Sequence, residues 1–155
     1  MAMKKLITLT VLTAATLTAC VGGLNRNTDR WVKHPRFGNW SIKSQTSSNW
    51  AEVSTSKQND DLIGWLQYDQ KCSGFSDRVN RSKPAKINGI NVKISSQCVN
   101  RMERAYFPTT FEGIDLVLRM FKNPKNQTVT INNDVYSTAN FAEALADIHD
   151  ERYAI

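Results

Sequence analysis

The uncharged run at residues 6–19 constrains this chain most, because it separates a short leader from everything that follows. Lys4 and Lys5 precede the run, which has 14 residues and ends just before Cys20. A bilayer core takes about 20 helical residues, so this run is too short to span one. A basic start, a short apolar segment and a small residue before the cleavage point are typical of an export signal. The sequence therefore predicts that residues 1–19 are a signal peptide.

The end of this run resembles the lipobox of bacterial lipoprotein precursors, in the residues Leu17-Thr18-Ala19-Cys20. The resemblance implies cleavage before Cys20, a thioether-linked diacylglycerol on its sulfur and an acyl chain, such as palmitate, on the new N-terminus. Two or more acyl chains hold a protein on a lipid bilayer, whereas one binds marginally. We expect no other cofactor. The alternative is an ordinary secretory signal with an incidental cysteine.

The residue after Cys20 favours the outer membrane as the site of anchoring. An aspartate at the second mature position resembles the inner-membrane retention signal of enterobacteria, and this chain has Val21 there. We therefore expect a lipid-anchored envelope protein on the periplasmic face or the surface of the outer membrane. Residues 20–30 are polar and rich in Gly and Asn, which predicts a lipidated tether. Residues 31–155 have the length of a single globular envelope domain.

The charge of the mature chain is modestly basic. Removal of Lys4 and Lys5 lowers the formal net charge from +6 to +4. Such an excess suits anionic envelope polymers, but solubility explains it equally well. The most basic stretch, residues 77–86, carries no aromatic residue, so we interpret it as a solvated loop rather than a nucleic-acid site.

Two cysteines remain after the lipidated one. Cys72 and Cys98 can pair in an oxidising periplasm, and their bridge would close a loop of about 26 residues. A free thiol or a metal-binding pair is the alternative. We expect the disulfide.

Alternating apolar and polar residues predict a β-rich domain. The third predicted strand, at residues 62–68, is expected to place its side chains on two faces, with Ile63 and Trp65 on one and Leu62, Leu66 and Tyr68 on the other. Other strands are predicted at residues 40–42, 50–55, 104–107, 128–131 and 135–136.

Asn88-Gly89 is the clearest local signal in the mature chain, because both residues of a type I′ hairpin turn need a positive φ. The strand after it is expected to run from Ile90 to Cys98, with Cys98 pointing inward. Asn132-Asn133 predicts a second tight turn.

One or two helices are expected towards the C-terminus. The spacing of Thr109 and Glu112 is that of a capping box, which favours a helix over a strand for the segment that follows. Ser137 or Thr138 can cap the last helix, whose apolar face is formed by Phe141, Ala144, Leu145 and Ile148. The predicted fold is therefore α+β: a small antiparallel β-rich domain with one or two helices towards the C-terminus and one disulfide.

Three short parts of the mature chain form a further pattern: Trp40-x-Ile42, the cysteine pair, and Phe141 with Ala144. Together they resemble the periplasmic invasion-associated locus B proteins, which are small β-rich envelope proteins with a late Gly-Phe-x-x-Ala helix. The chain departs from the family pattern where Asn140 replaces the glycine before Phe141, and where no cysteine lies near Trp40. The resemblance implies the fold only.

The sequence contains no strong catalytic pattern. His34 and His149 are not at metal-ligand spacing, and neither a phosphate-binding loop nor a nucleophile elbow is present. Asp60, Asp61 and Glu112 are the candidate acid and base of an envelope hydrolase.

Four tryptophans fall in the first half of the chain: Trp31, Trp40, Trp50 and Trp65. Their strand spacing favours a role in the core. Trp31, beside Lys33 and nearest the tether, is the one that we expect to be exposed. Trp31 and Trp50 are possible binding residues, since indole rings stack on sugars or fill a partner's pocket.

Three functions follow from these observations. The first is a lipid-anchored, non-enzymatic module that binds an envelope protein, as a secretion or conjugation accessory, exclusion factor, inhibitor or immunity protein. The second is a module that binds glycan or peptidoglycan. The third is an envelope hydrolase. In all three the lipid bilayer is a partner through Cys20, and nucleic acid is not.

Overall fold

A computed structural model describes residues 27–35, 38–55 and 61–153 of the chain. The predicted signal peptide, Cys20 and most of the tether lie outside the described residues, as does Asp60. No prediction about those positions is tested by the fold.

Short antiparallel strands make up most of the described chain, and two helices follow them. The strands are β1 (Val32–Lys33), β2 (Trp40–Lys43), β3 (Trp50–Thr55), β4 (Asp61–Tyr68), β5 (Asn80–Arg81), β6 (Ala85–Ile87), β7 (Ile90–Val92), β8 (Ile94–Cys98), β9 (Glu103–Pro108), β10 (Thr128–Ile131) and β11 (Asp134–Ser137). The helices are α1 (Phe111–Lys122) and α2 (Phe141–Tyr153).

The strands form two sheets. The large sheet has the order β1-β2-β3-β4-β9-β8-β5, and the small sheet has the order β11-β10-β6-β7. Every pairing in both sheets is antiparallel. The predicted α+β class, with β-rich character and helices towards the C-terminus, is confirmed.

One face of the large sheet carries the main core, which it shares with the small sheet and both helices. Ile63 and Trp65 of β4 belong to this core, as predicted. Leu62 instead packs with Phe107, and Leu66 packs with other residues on the second face. Both faces of the large sheet are therefore covered along its central strands.

The helices are held by their caps and apolar faces. The capping threonine of α1 is Thr110, one residue later than expected, and its hydroxyl accepts a hydrogen bond from the Gly113 N–H at 3.1 Å. A helix rather than a strand is thus confirmed here. Phe141, Ala144 and Leu145 of α2 are buried, as predicted.

Local turn chemistry is confirmed, but one long strand is not. Asn88 and Gly89 have φ values of +46° and +85°, as a type I′ turn requires. The single strand expected from Ile90 to Cys98 is wrong, because it is interrupted at Lys93. Residues before Lys93 pair in the small sheet, and residues after it pair in the large one. The alternation continues across the break because both sheets bury the same side of the chain.

The disulfide between Cys72 and Cys98 is present, with the two Cα atoms 5.6 Å apart. Cys98 ends β8, and Cys72 lies in the connection that follows β4. The bridge therefore fixes a connection without regular structure to the end of a sheet strand.

We predict that the paired substitution Cys72→Ser and Cys98→Ser lowers the free energy of unfolding by about 3 kcal/mol, because it frees the 26-residue loop in the unfolded chain. Urea unfolding of the two proteins measures the difference. Changing both cysteines together avoids a stray thiol, and an unchanged unfolding midpoint would contradict the prediction.

Candidate functional site

The two ends of the large sheet can be told apart by following its strands. Lys43 ends β2 and pairs with Trp50, while Tyr68 ends β4 and pairs with Glu103. These residues lie at one end because neighbouring strands are antiparallel. Asn27, the first described residue, is also there, since its carbonyl accepts a hydrogen bond of 3.0 Å from the Lys43 N–H. We call this the proximal end and the opposite one the distal end.

Three large apolar side chains at the proximal end are at least half exposed, and we call them the proximal surface. Tyr68, Phe75 and Met102 are 57%, 50% and 56% exposed. The backbones next to Tyr68 and at Met102 are joined, because the Asp69 N–H donates a 2.8 Å hydrogen bond to the Met102 carbonyl. Soluble proteins expose single apolar residues routinely, but a group at one end of a domain is typical of a binding surface.

The backbone beneath the proximal surface is tied to the sheet. Ser76, next to Phe75, donates from its N–H to the Cys98 carbonyl at 3.1 Å. The Gln97 side-chain amide donates to the Ser76 carbonyl at 2.6 Å. Together with the disulfide, these bonds hold Phe75 in place although it lies outside any strand.

An ion pair fixes the other side of the proximal surface. The Arg104 Nε donates to the Asp69 carboxylate at 2.6 Å, and the Lys71 N–H donates to the same carboxylate. These contacts hold the pKa of Asp69 below its ordinary value, and the hydrogen bond from the Arg104 guanidinium has the largest effect. The Met102 N–H is bound in turn by the Asn100 side chain.

Exposed basic residues lie within three positions of the proximal surface in the sequence. They are Lys71, Arg78 and Arg101, and Asp77 is an exposed acid among them. The excess of positive charge favours an anionic partner at this end of the domain.

The distal end exposes a different apolar group, which we call the distal surface. Phe111, the first residue of α1, is 74% exposed, more than any other large apolar side chain in the described part of the chain. The start of α1 packs closely on β7, since a Cβ atom at Gly113 would lie 2.9 Å from the Val92 side chain. Ile90, two residues earlier on the same strand, is also exposed.

A buried carboxyl lies between the two ends. Glu52 of β3 pairs with Ser41 on one side and Gly64 on the other, and it is buried. Burial raises the pKa of Glu52 from its ordinary value of 4.5 to about 7, while a hydrogen bond from the Asn39 side chain lowers it and the charge of Glu103 raises it. Sequence alternation places Glu52 opposite the main core, where a carboxylate is normally solvated. The covering of that second face could not be read from the sequence.

Two of the candidate acids of a hydrolase, Asp61 and Glu112, lie within the described residues. Asp61 lies at the start of β4, and its two carboxylate oxygens are 2.9 Å and 3.0 Å from the His149 Nε2. Glu112 is exposed in the first turn of α1. The structure therefore joins Asp61 to a histidine of α2, a contact that the sequence did not suggest.

The exposure expected for Trp31 is wrong. Its side chain is fully buried, and its indole Nε1 donates a 3.0 Å hydrogen bond to the Ser137 carbonyl. The ring packs edge-on against Phe121 and Phe141, at centroid distances of 5.5 Å and 5.0 Å. These partners lie at least 90 positions away along the chain, so neighbouring residues could not indicate them.

Trp50 is half-buried and packs beside the second-face cluster that includes Leu66 and Ala105. Its proposed part in binding remains a prediction. The exposed residues Tyr68, Met102 and Phe111 were missed as binding candidates. Tyr68 ends β4, Phe111 begins α1 and Met102 directly precedes β9, and at such positions an apolar side chain can lack cover.

No family model, no curated protein and no solved structure matches the chain. Within the described residues, no helix is both long and apolar enough to cross a membrane. The same residues contain no group of three or more His, Cys, Asp or Glu side chains able to hold a metal ion.

We predict that Glu52→Gln stabilises the domain at alkaline pH. Between pH 4.5 and about 7, the unfolded chain releases the Glu52 proton while the folded chain keeps it, so stability falls as the pH rises through this window. Near pH 8 the substitution should raise the free energy of unfolding by about 3 kcal/mol, and near pH 4 by little.

Urea unfolding at the two pH values measures this effect. Glu112→Gln, at an exposed carboxyl, is the matched control and should leave the pH dependence unchanged. A Glu52→Gln protein with the pH dependence of the unsubstituted protein would contradict the prediction.

Proposed function

We propose that this chain is a lipid-anchored protein of the bacterial envelope, and that its domain binds a partner protein without catalysing a reaction. The anchor is supported by the basic start, the short uncharged run and the lipobox-like Leu17–Cys20. Val21 after the lipidated cysteine favours the outer membrane.

The observation that carries the binding proposal is the exposure of Phe111 at the distal end. A large aromatic side chain that is mostly in water gains about 1.5–3 kcal/mol when a partner buries it fully. Such residues, surrounded by a polar rim, supply most of the affinity at many protein interfaces. Exposed Glu112 and Lys93 provide polar neighbours in sequence and structure at this end.

The position of the tether supports the same surface. The chain enters the domain at Asn27, at the proximal end, whereas Phe111 follows β9 at the distal end. The eight residues of β4, which joins the two ends, span roughly 25 Å. An anchor attached to the proximal end would therefore present Phe111 away from the membrane, where a partner can reach it.

The other two functions have less support. A glycan-binding module would use exposed tryptophans, but Trp31 lies in the core and Trp50 is half-buried. A hydrolase would use an acid and a base in a cleft, and its support is limited to the contact between Asp61 and His149 at the start of β4.

We predict that a photo-reactive benzoyl-phenylalanine in place of Phe111 cross-links the full-length protein to one envelope protein in living cells. The same group in place of Lys122, exposed at the other end of α1, should give little of that product. The reagent reacts only with groups that it touches, so the comparison tests the surface rather than general proximity. Products are identified by mass spectrometry.

Two further results decide this proposal. With the identified partner purified, Phe111→Ala should weaken binding at least tenfold, equivalent to about 1.4 kcal/mol. Cys20→Ser should remove the cross-linked product in cells if the anchor delivers the domain to its partner. Equal products from positions 111 and 122, or peptidoglycan fragments in place of a protein, would contradict the proposal.

A further inference from the structure

We propose that the proximal surface rests on the membrane, with Tyr68, Phe75 and Met102 entering the interfacial region and the surrounding basic side chains binding anionic phospholipid headgroups. This inference rests on the proposed lipid anchor and adds a second membrane contact to it. It assigns the two ends of the large sheet to different partners.

The first support is the place where the chain outside the described residues joins the domain. Asn27 is bonded to Lys43 at the end of β2, and the Gln45 side chain donates to the Thr28 carbonyl nearby. Seven peptide steps separate Cys20 from Asn27, and they can span at most about 25 Å. A lipid on Cys20 therefore keeps the proximal end close to the bilayer.

The second support is the chemistry of the exposed side chains. Tyr68 is an aromatic residue with a polar tip, the type enriched where membranes meet water. Phe75 and Met102 add apolar area that gains from leaving water but needs no specific partner geometry. A shallow apolar group of this kind suits a lipid surface.

The third support is charge. Lys71, Arg78 and Arg101 are exposed, and each lies within three positions of Tyr68, Phe75 or Met102 in the sequence, with Asp77 as an exposed acid among them. Basic residues near an anionic lipid surface each add attraction, and the effect falls off within a Debye length. The Asp69 carboxylate is paired with Arg104, so it is not available to neutralise these basic side chains.

The fourth support is rigidity. The disulfide joins Cys72 to the end of β8, and Gln97 and Cys98 both bind the backbone of Ser76. Little conformational freedom is lost when a surface held in this way settles on a bilayer. A protein partner would compete for this end with a bilayer that the anchor keeps within reach, so the observations favour lipid as the occupant.

The test uses the full-length lipidated protein in vesicles of phosphatidylethanolamine and phosphatidylglycerol that carry brominated acyl chains. Bromine quenches tryptophan at short range. We compare Tyr68→Trp with Phe111→Trp, which adds the same fluorophore at the distal end. The unsubstituted protein gives the background from its four tryptophans.

We expect the fluorescence added by Tyr68→Trp to lose most of its intensity, and that added by Phe111→Trp to be unaffected. Replacing Arg78 and Arg101 by Gln in the Tyr68→Trp protein should reduce the quenching, as should vesicles of phosphatidylcholine alone. Absence of quenching at position 68, or equal quenching at both positions, overturns the inference.

Flotation of the same vesicles separates this inference from the proposed anchor. Protein that floats without quenching at position 68 keeps the anchor and overturns the membrane-facing surface, leaving that end open to a protein. Protein that does not float, although it was prepared from cells with the lipidation machinery, overturns both.

Discussion

The arrangement of the domain depends on the contacts that the buried Trp31 makes. The Trp31 N–H donates to the Ala139 carbonyl at 2.9 Å, and its indole donates to Ser137 at 3.0 Å. The ring also meets Phe121 of α1 and Phe141 of α2. One residue at the start of the described chain thus joins both helices and the end of the small sheet. β1 begins at the next residue, and its antiparallel pairing with β2 sets the end at which the preceding chain enters.

The fixed entry point gives the two ends of the large sheet different surroundings. The proximal end combines apolar side chains, a basic rim and a backbone held by the disulfide. The distal end presents Phe111 on a capped helix whose first turn packs against β7. In the proposed lipid-anchored protein, the tether would join the membrane to the proximal end rather than to the distal end. The proposed division into a lipid-facing and a partner-facing end rests on that attachment.

Much of the fold could be predicted from interactions between neighbouring residues. The features that depend on contacts between residues distant in the sequence could not be predicted. The Asn88-Gly89 turn, the two faces of β4 and the helix after Pro108 depend on neighbouring residues, so their patterns could be read directly. The exposure of Trp31 and the continuous strand through Lys93 were wrong, because both depend on partners distant in the sequence. The candidate surfaces were not predicted for the same reason: an apolar residue such as Phe111 is exposed only because no other element covers it.

The measurement that tests the central claim most directly is the intact mass of the native protein extracted from bacterial membranes. The account predicts a chain that begins at Cys20 and carries a diacylglyceryl group and an amide-linked acyl chain. Two hydrogens should also be missing, because Cys72 and Cys98 are joined. A chain that begins at Cys20 or earlier without lipid would contradict the anchor. It would also remove the constraint that gives the two ends of the domain their proposed roles.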